Sequence, residues 1–290
     1  MKYTIVHFRD AFPTDDVCLD YLLNVRFGGK VGKCPKCKKI ANWSRVAGRK
    51  TYACSWCGTH VSPTAGTIFH KSETPLMHWF YAIFLMSQSK NGVAAKEIER
   101  LVGVTYKCAW RMMHQIRKLM EQGPSLFDGT VEADETYVGG KRRGKRGRGA
   151  SGKTPVFGIV KREGQVFAKA VPNVKASTVM PLIREHVRIG STVMTDEFAI
   201  YNKSKKNGYK HKRVNHGSGQ YVRSGRPEKI HTNTIEGFWS QLKRSVDGTH
   251  HSVSGKHLQR YVDEHVFRYN HRNAPTHLFQ VLMSRLGSGA

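Results

Sequence analysis

Acidic side chains are scarce in the C-terminal half of the chain, and three of them lie where carboxylates can hold metal ions. Residues 125–290 contain 13 acidic and 29 basic residues. Asp134 lies in an alternating, β-rich segment, Asp196 ends another, and Glu236 borders the apolar face of a helical segment. Mg²⁺ prefers carboxylate oxygens, and two such ions can activate a water or 3′-hydroxyl for attack on a phosphodiester. The alternative is that each acid only caps a helix or pairs with a Lys or Arg.

The helical segment that carries Glu236 covers residues 231–244. Its predicted apolar face consists of Ile235, Phe238, Trp239 and Leu242. Glu236 and Lys243 are seven residues apart, or two turns, so they share one polar face. Thr232 or Thr234 is predicted to cap the first turn.

Four cysteines form two C-x₂-C pairs separated by 16 residues, which is zinc-ribbon spacing. They are Cys34, Cys37, Cys54 and Cys57. Their thiolates can complete a tetrahedron around Zn²⁺, and so short a domain needs the folding energy that a structural metal supplies. A redox dithiol is the alternative. Cys18 and Cys108 fall in apolar helical patterns and are predicted to be packing residues.

Residues 75–87 predict a buried helix, and residues 92–118 predict two helices joined by a turn at Gly103. Ala94, Ile98 and Leu101 are predicted to face inward on the first of the pair, and Thr105 to cap the second. The second helix places several basic residues away from its apolar face: Lys107, Arg111, His114, Arg117 and Lys118. A glycine turn followed by a basic helix is typical of helix-turn-helix DNA-binding units, with an ordinary helical hairpin as the alternative.

The whole chain of 290 residues is basic, with 48 Lys and Arg against 21 Asp and Glu and a net charge of +27. Because self-repulsion opposes compaction, such an excess predicts a polyanionic partner: DNA, RNA or an acidic membrane surface. The densest tract has six bases in residues 141–148, whose glycines predict a loop that grips phosphates or a solvated linker. No signal-peptide pattern or membrane-spanning run is visible, so we expect a cytoplasmic, nucleoid-associated protein without a membrane partner.

The pattern of elements predicts three regions. Residues 1–61 contain the ribbon, residues 62–124 the helical helix-turn-helix region, and residues 125–290 a further domain. In the last region a strand hairpin, a helix, another strand and further helices predict a mixed sheet flanked by helices, which is the α/β class. Functional residues of such sheets collect at strand ends.

Three blocks resemble one family: EADETYVGGK (132–141), TDEFAIY (195–201) and HTNTIEGFWSQLKR (231–244). With the ribbon, the segment 66–72 and the helix pair, they make the chain similar to bacterial insertion-sequence DDE transposases of the ISXO-like group, which are related to Merlin elements. The resemblance runs from about residue 20 to residue 280.

The resemblance implies a ribonuclease-H-like core in which Asp134, Asp196 and Glu236 are catalytic and hold two Mg²⁺ (or Mn²⁺) ions. Glu135 is a rival to Asp134, but strand alternation places the two on opposite faces and the family pattern selects Asp134. Asn233 is interpreted as a neighbouring ligand or a substrate contact. Contacts to DNA are assigned to Lys243, Asn233, His231, Arg142, Arg143, Arg146, Lys107 and Arg111.

For the whole chain, the resemblance implies a DNA transposase that binds the terminal inverted repeats of its element. It would cleave phosphodiesters at the ends and join the 3′ ends to target DNA, acting as a homodimer or higher multimer on paired ends. Zn²⁺ would have a structural role in the ribbon. The alternatives are a non-catalytic, domesticated DNA-binding regulator and a ribonuclease-H-type nuclease without strand transfer.

Overall fold

The computed structural model describes residues 3–139, 152–198, 200–201, 204, 207–214, 222–225 and 228–287. Two compact units are present: residues 1–120 with 274–290, and residues 121–273. Among the residues described, no helix has the length and apolar character needed to cross a membrane.

The first unit combines helices with a small antiparallel sheet. The helices are α1 (Ile5–Ala11), α2 (Asp15–Phe27), α3 (Leu76–Gln88), α4 (Ala95–Val102) and α5 (Tyr106–Lys118), together with a C-terminal helix, Leu278–Ser284. The strands β1 (Val31–Lys33), β2 (Ile40–Arg45), β3 (Tyr52–Cys54) and β4 (His60–Val61) pair in chain order. Asp15, the first residue of α2, joins α2 to α3, because its carboxylate accepts hydrogen bonds from the Leu76 and Met77 amides that open α3.

The helix pair α4–α5 forms as the sequence predicts, with two differences in which side chains are buried. Gly103 ends α4 in the left-handed conformation (φ 74°). The Thr105 side chain caps α5, because its hydroxyl oxygen accepts a hydrogen bond from the Cys108 amide. Leu101 was predicted to face inward but is 50% exposed, because Ile98 and Val102, four residues apart, form the buried stripe. His114 and Arg117 were predicted outside the apolar face, yet both are buried in a helix that packs against α3 and α4.

The second unit contains a five-stranded mixed sheet. Its strands are β5 (Thr130–Val138), β6 (Thr154–Lys161), β7 (Val166–Ala170), β8 (Thr192–Thr195) and β9 (Lys210–Arg213). The spatial order is β7-β6-β5-β8-β9. β5, β6 and β7 pair antiparallel, whereas β8 runs parallel to β5 and β9 parallel to β8.

Helices cover both faces of this sheet, which confirms the α/β class. They are α6 (Ala176–His186), α7 (Asn233–Arg244) and α8 (Gly255–Asn270), with a short π-helical turn, Ser245–Thr249, between the last two. Val131 and Ala133 of β5 pack in a core with α6. Val138, on the opposite face of the same strand, packs in a core with α7 and α8. Even-numbered residues of β5 therefore face α7.

Candidate functional site

The parallel pairing of β5 and β8 places Asp134 beside Asp196. Glu132 pairs with Met194 in the register of the two strands, and two further residues along each strand lead to Asp134 and Asp196. Both side chains are half-buried. Burial above all, and then the negative charges of Glu135 and Asp196, raise the pKa of Asp134 to about 7.

Helix α7 packs across the face of the sheet that carries Asp134. The predicted apolar face of α7 is buried at all four positions: Ile235, Phe238, Trp239 and Leu242. Gly158, which pairs with Asp134 in the register of β5 and β6, leaves room for the indole, since a Cβ there would lie 2.6 Å from Trp239 Cη2. Trp239 Nε1 donates a hydrogen bond of 3.1 Å to Asp134 Oδ2.

Glu236 is half-buried in the first turn of α7, and its Oε1 accepts a hydrogen bond of 2.8 Å from Thr232 Oγ1. The structure thus sets Asp134 on β5, Asp196 directly after the neighbouring strand β8, and Glu236 on the helix packed against β5. It does not gather the three into one tight cluster: within the described ranges, the four cysteines alone form a group of three or more potential ligands lying within 4.8 Å of one another.

Glu135 lies on the other face of β5, as strand alternation predicts. It is 8% exposed, and its Oε2 accepts a hydrogen bond of 2.8 Å from the hydroxyl of Tyr201. Tyr201 itself is buried in the core that contains α6. Glu135 and Asp134 are therefore adjacent in sequence but have different surroundings.

Glu132 is a buried acid of this site that the sequence reasoning passed over. Its side chain is 0% exposed, and it accepts hydrogen bonds from Arg162, in the β6–β7 turn, and from Thr234 and Ile235 of α7. The signal available in the sequence was the alternation of β5, which places residues 132 and 134 on one face.

The residues predicted to contact DNA occupy three different settings. Asn233 and Lys243 are exposed on α7, while Lys107 and Arg111 are exposed on α5. Arg111 also donates to Ser72 Oγ. His231 is half-buried, with Nδ1 3.2 Å from Glu132 Oε1. Arg142, Arg143 and Arg146 lie outside the described residues.

The four cysteines of the ribbon converge on one point. Cys34 Sγ lies 3.8 Å from Cys57 Sγ, and Cys37 Sγ lies 3.8 Å from Cys54 Sγ. Tetrahedral Zn²⁺ with bonds of about 2.3 Å requires sulfurs about 3.8 Å apart, so this donor set fits zinc. The four cysteines are free thiols and form no disulfide.

One face of the ribbon exposes apolar and basic side chains together. Its members, here called the ribbon outer face, are Val31, Lys33, Lys39, Ile40 and Trp56. Trp56 is 64% exposed yet fixed, because Nε1 donates to the Ile40 carbonyl and the Lys39 ammonium lies 4.8 Å from the ring centroid. Residues 28–61 contain eight Lys and Arg and no acidic residue.

Two family models match the chain. The ISXO2-like transposase domain matches residues 127–270, which include all three candidate acids, and the transposase zinc-ribbon domain matches residues 13–60. The zinc-ribbon match lies within the first compact unit, and the transposase-domain match lies within the second.

Relatives agree with these matches. An uncharacterized transposase-like protein of Haemophilus influenzae is 31% identical over 106 residues, which cover 37% of this chain and 81% of that protein. An uncharacterized protein in transposable element ISH50 of Halobacterium salinarum is 25% identical, over 79% of this chain and 82% of its own length.

A solved structure was also matched, an intasome of simian T-cell lymphotropic virus in complex with the PP2A regulatory subunit B56 gamma. Its TM-score is 0.29 at 14% identity, over 62% of this chain, and the chain spans 64% of its length. The family models and the sequence relatives show that the chain belongs to the family of ISXO2-like transposases.

Proposed function

We propose that the chain is a DNA transposase that binds the terminal inverted repeats of its element, cleaves the ends and joins the 3′ ends to target DNA. The observation that carries the proposal is the position of Asp134 on β5 beside Asp196, which directly follows the adjacent parallel strand β8, with Glu236 on the helix packed against β5. These acids lie inside the matched ISXO2-like transposase domain.

Sheet topology supports a ribonuclease-H-like core for this unit. The first strand, β5, is central; the antiparallel strands β6 and β7 extend the sheet on one side, and the parallel strands β8 and β9 on the other. This order brings the middle of β5 and the carboxyl end of β8 together. We propose residues 125–290 as the catalytic domain, residues 1–61 as the ribbon and residues 62–124 as the helix-turn-helix region.

The chemistry proposed for the site depends on negatively charged carboxylates that are partly buried. The pKa of Asp134 is raised by burial first and then by the charges of Glu135 and Asp196, so its ionised form is unfavourable unless a bound cation offsets both effects. Asp134, Asp196 and Glu236 would hold the ions, and two bound Mg²⁺ ions would activate the attacking oxygen and stabilise the leaving oxygen of the phosphodiester. Trp239 orients one oxygen of Asp134, which leaves the other for a ligand bond.

The proposed DNA contacts divide into three groups. Lys243 and Asn233, exposed on α7, would contact the strand near the cleavage site. The basic side of α5, with Lys107 and Arg111, would contact the groove and backbone of the end sequence. The ribbon outer face and the tract 141–148 would bind phosphates, because both are rich in Lys or Arg and lack acids. A dimer or higher multimer would hold two ends together.

A strand-transfer assay tests the proposal. Full-length protein is mixed with a labelled duplex of the inverted repeat that borders its gene, a supercoiled target plasmid and Mg²⁺. The proposal predicts cleavage at the repeat end and covalent transfer of the label to the plasmid, both lost on replacing Mg²⁺ with Ca²⁺. Tight binding without cleavage would support a DNA-binding regulator instead, and cleavage without transfer would support a nuclease.

A further inference from the structure

The first turn of α7 is capped by a residue from another part of the chain. A residue at the position of Thr232 ordinarily accepts a hydrogen bond from the second or third amide of its helix. Thr232 Oγ1 instead donates to Glu236 Oε1 over 2.8 Å. Glu132 Oε2, on β5, accepts the amides of Thr234 and Ile235 at 2.9 and 3.1 Å. The sequence predicted a cap by Thr232 or Thr234, but neither side chain caps the helix. The Glu132 carboxylate, from β5, does so instead.

The other oxygen of Glu132 is held equally firmly. Oε1 accepts hydrogen bonds of 2.9 Å from Thr234 Oγ1 and 2.9 Å from Arg162 Nε, and His231 Nδ1 lies 3.2 Å away. A fully buried carboxylate is favourable only with such donors, and the N-terminus of a helix adds its own positive potential. Glu132 thus binds β5 and α7 to each other at one point.

Arg162 extends this connection to the segment that leads into α7. Its Nη1 donates to Glu228 Oε2 at 2.7 Å and to the Lys229 carbonyl at 2.8 Å. Its Nη2 donates to the His231 carbonyl at 3.1 Å. The guanidinium therefore links the Glu132 carboxylate to the segment that leads into α7.

Two anchors fix α7 along β5, and Glu236 lies between them. The first joins Glu132 to Ile235, and the second joins Asp134 to Trp239. Two residues of strand span about 6.6 Å, and four residues of helix span about 6 Å. The two spacings are similar, so the anchors hold positions one turn apart on α7 against successive same-face positions on β5.

We propose that Glu132 is a positioning residue. It fixes the position of α7 along β5 and so places Glu236 at the same metal site as Asp134. It is not itself a metal ligand, because both of its oxygens are occupied by donors from the protein. The inference rests on the proposed function, since it concerns the metal-binding acids of that site.

The test compares Glu132→Gln with Glu163→Gln, a matched loss of one carboxylate at an exposed residue of the neighbouring turn. Calorimetry measures Mn²⁺ affinity, and hydrogen exchange measures the protection of the Thr234 and Ile235 amides. Both are measured on protein shown to be folded. Glu132→Gln is expected to lose protection at both amides and to weaken Mn²⁺ binding about tenfold or more, the scale of residues that support metal ligands. Its KM for DNA should match that of Glu163→Gln. A merely structural role would lower the unfolding midpoint and leave the Mn²⁺ affinity of folded protein unchanged.

Thr234→Val gives a second variant that removes one hydroxyl donor and keeps the shape, should Glu132→Gln fail to fold. It is expected to weaken Mn²⁺ binding several-fold in the same assay. Wild-type protection and Mn²⁺ affinity in the folded variants would overturn the positioning role. Absence of Mn²⁺ binding by the wild-type protein would contradict the proposed function instead, and the hydrogen-exchange comparison would still decide whether Glu132 anchors α7.

Discussion

The indole nitrogen of Trp239 donates a hydrogen bond of 3.1 Å to Oδ2 of Asp134, which joins the apolar face of α7 to a candidate metal ligand. The bond forms because Gly158, the partner of Asp134 on β6, has no side chain to displace the ring. Trp239 is therefore both a core residue, 4% exposed, and a group that orients a carboxylate.

Trp239→Phe is expected to keep the core and lose the hydrogen bond. Because a hydrogen bond to a charged group contributes about 1.5–3 kcal/mol, Mn²⁺ affinity and metal-dependent cleavage should each fall about tenfold or more. Trp79→Phe is the control: it loses an equivalent buried indole bond, to Ser72 Oγ, in the other unit. Calorimetry with Mn²⁺ distinguishes the two, and equal affinities would show that the Trp239 bond does not orient Asp134.

Asp134→Asn is expected to stabilise the Mg²⁺-free protein at alkaline pH. The pKa of Asp134 in the folded chain is about 7, raised from its ordinary 3.8, so the folded state favours the protonated acid. The associated stability is present below about pH 4 and is lost as pH rises through 7. At pH 8 the substitution should therefore raise the free energy of unfolding by on the order of 2–4 kcal/mol.

Urea unfolding without added Mg²⁺ at pH 5 and pH 8 measures this effect, with Glu163→Gln as the exposed control. The gain should be large at pH 8 and small at pH 5. A gain independent of pH would indicate a packing effect and contradict the charge argument.

Cys37→Ser is expected to release zinc and unfold the ribbon. Structural zinc contributes about 10–16 kcal/mol to the folding of small zinc domains, so removal of one thiolate removes most of the ribbon's stability. Metal analysis should find one zinc ion per chain in the wild type and in Cys108→Ser, whose sulfur contacts Thr74 and Met112 outside the ribbon. Full zinc content in Cys37→Ser would reject the site.

The ribbon outer face is expected to contribute to the salt dependence of DNA binding. Lys33 and Lys39 pair with no carboxylate among the residues described, whereas the Lys30 ammonium lies 3.4 Å from Asp20. The slope of log K against log salt should fall by about 0.9 for each phosphate contact removed by Lys33→Gln or Lys39→Gln. Lys30→Gln should change it less. Fluorescence anisotropy over a salt series measures the slopes, and unchanged slopes would place DNA elsewhere.

The sequence predicted the helices and strands better than it predicted the contacts between them. The cysteine spacing, the strand β5 and the apolar stripe of α7 could each be predicted from local sequence patterns, and the structure confirms them. Which face of α4 is buried was harder, since Leu101 and Val102 are equally apolar and only the packing partners decide between them.

The candidate acids were recognisable from their motifs, but the residues that position them were not. Glu132 and Ile235 are 103 residues apart in the chain, and nothing in the local pattern links a strand acid to the first turn of a distant helix. Thr232 is a good capping residue by type, yet its hydroxyl is directed to Glu236 once Glu132 takes the amides. Such contacts depend on tertiary structure and leave no local pattern in a single sequence.

The most direct test of the account is cleavage of an inverted-repeat end by Asp134→Asn, Asp196→Asn and Glu236→Gln, with Glu135→Gln as the control. Each of the three should lose cleavage about 100-fold or more, the scale of a group that acts on the reacting atoms, while DNA binding stays near that of the wild type. Glu135→Gln, on the opposite face of β5, should retain cleavage. Wild-type cleavage in any of the three, or loss confined to Glu135→Gln, would contradict the assignment.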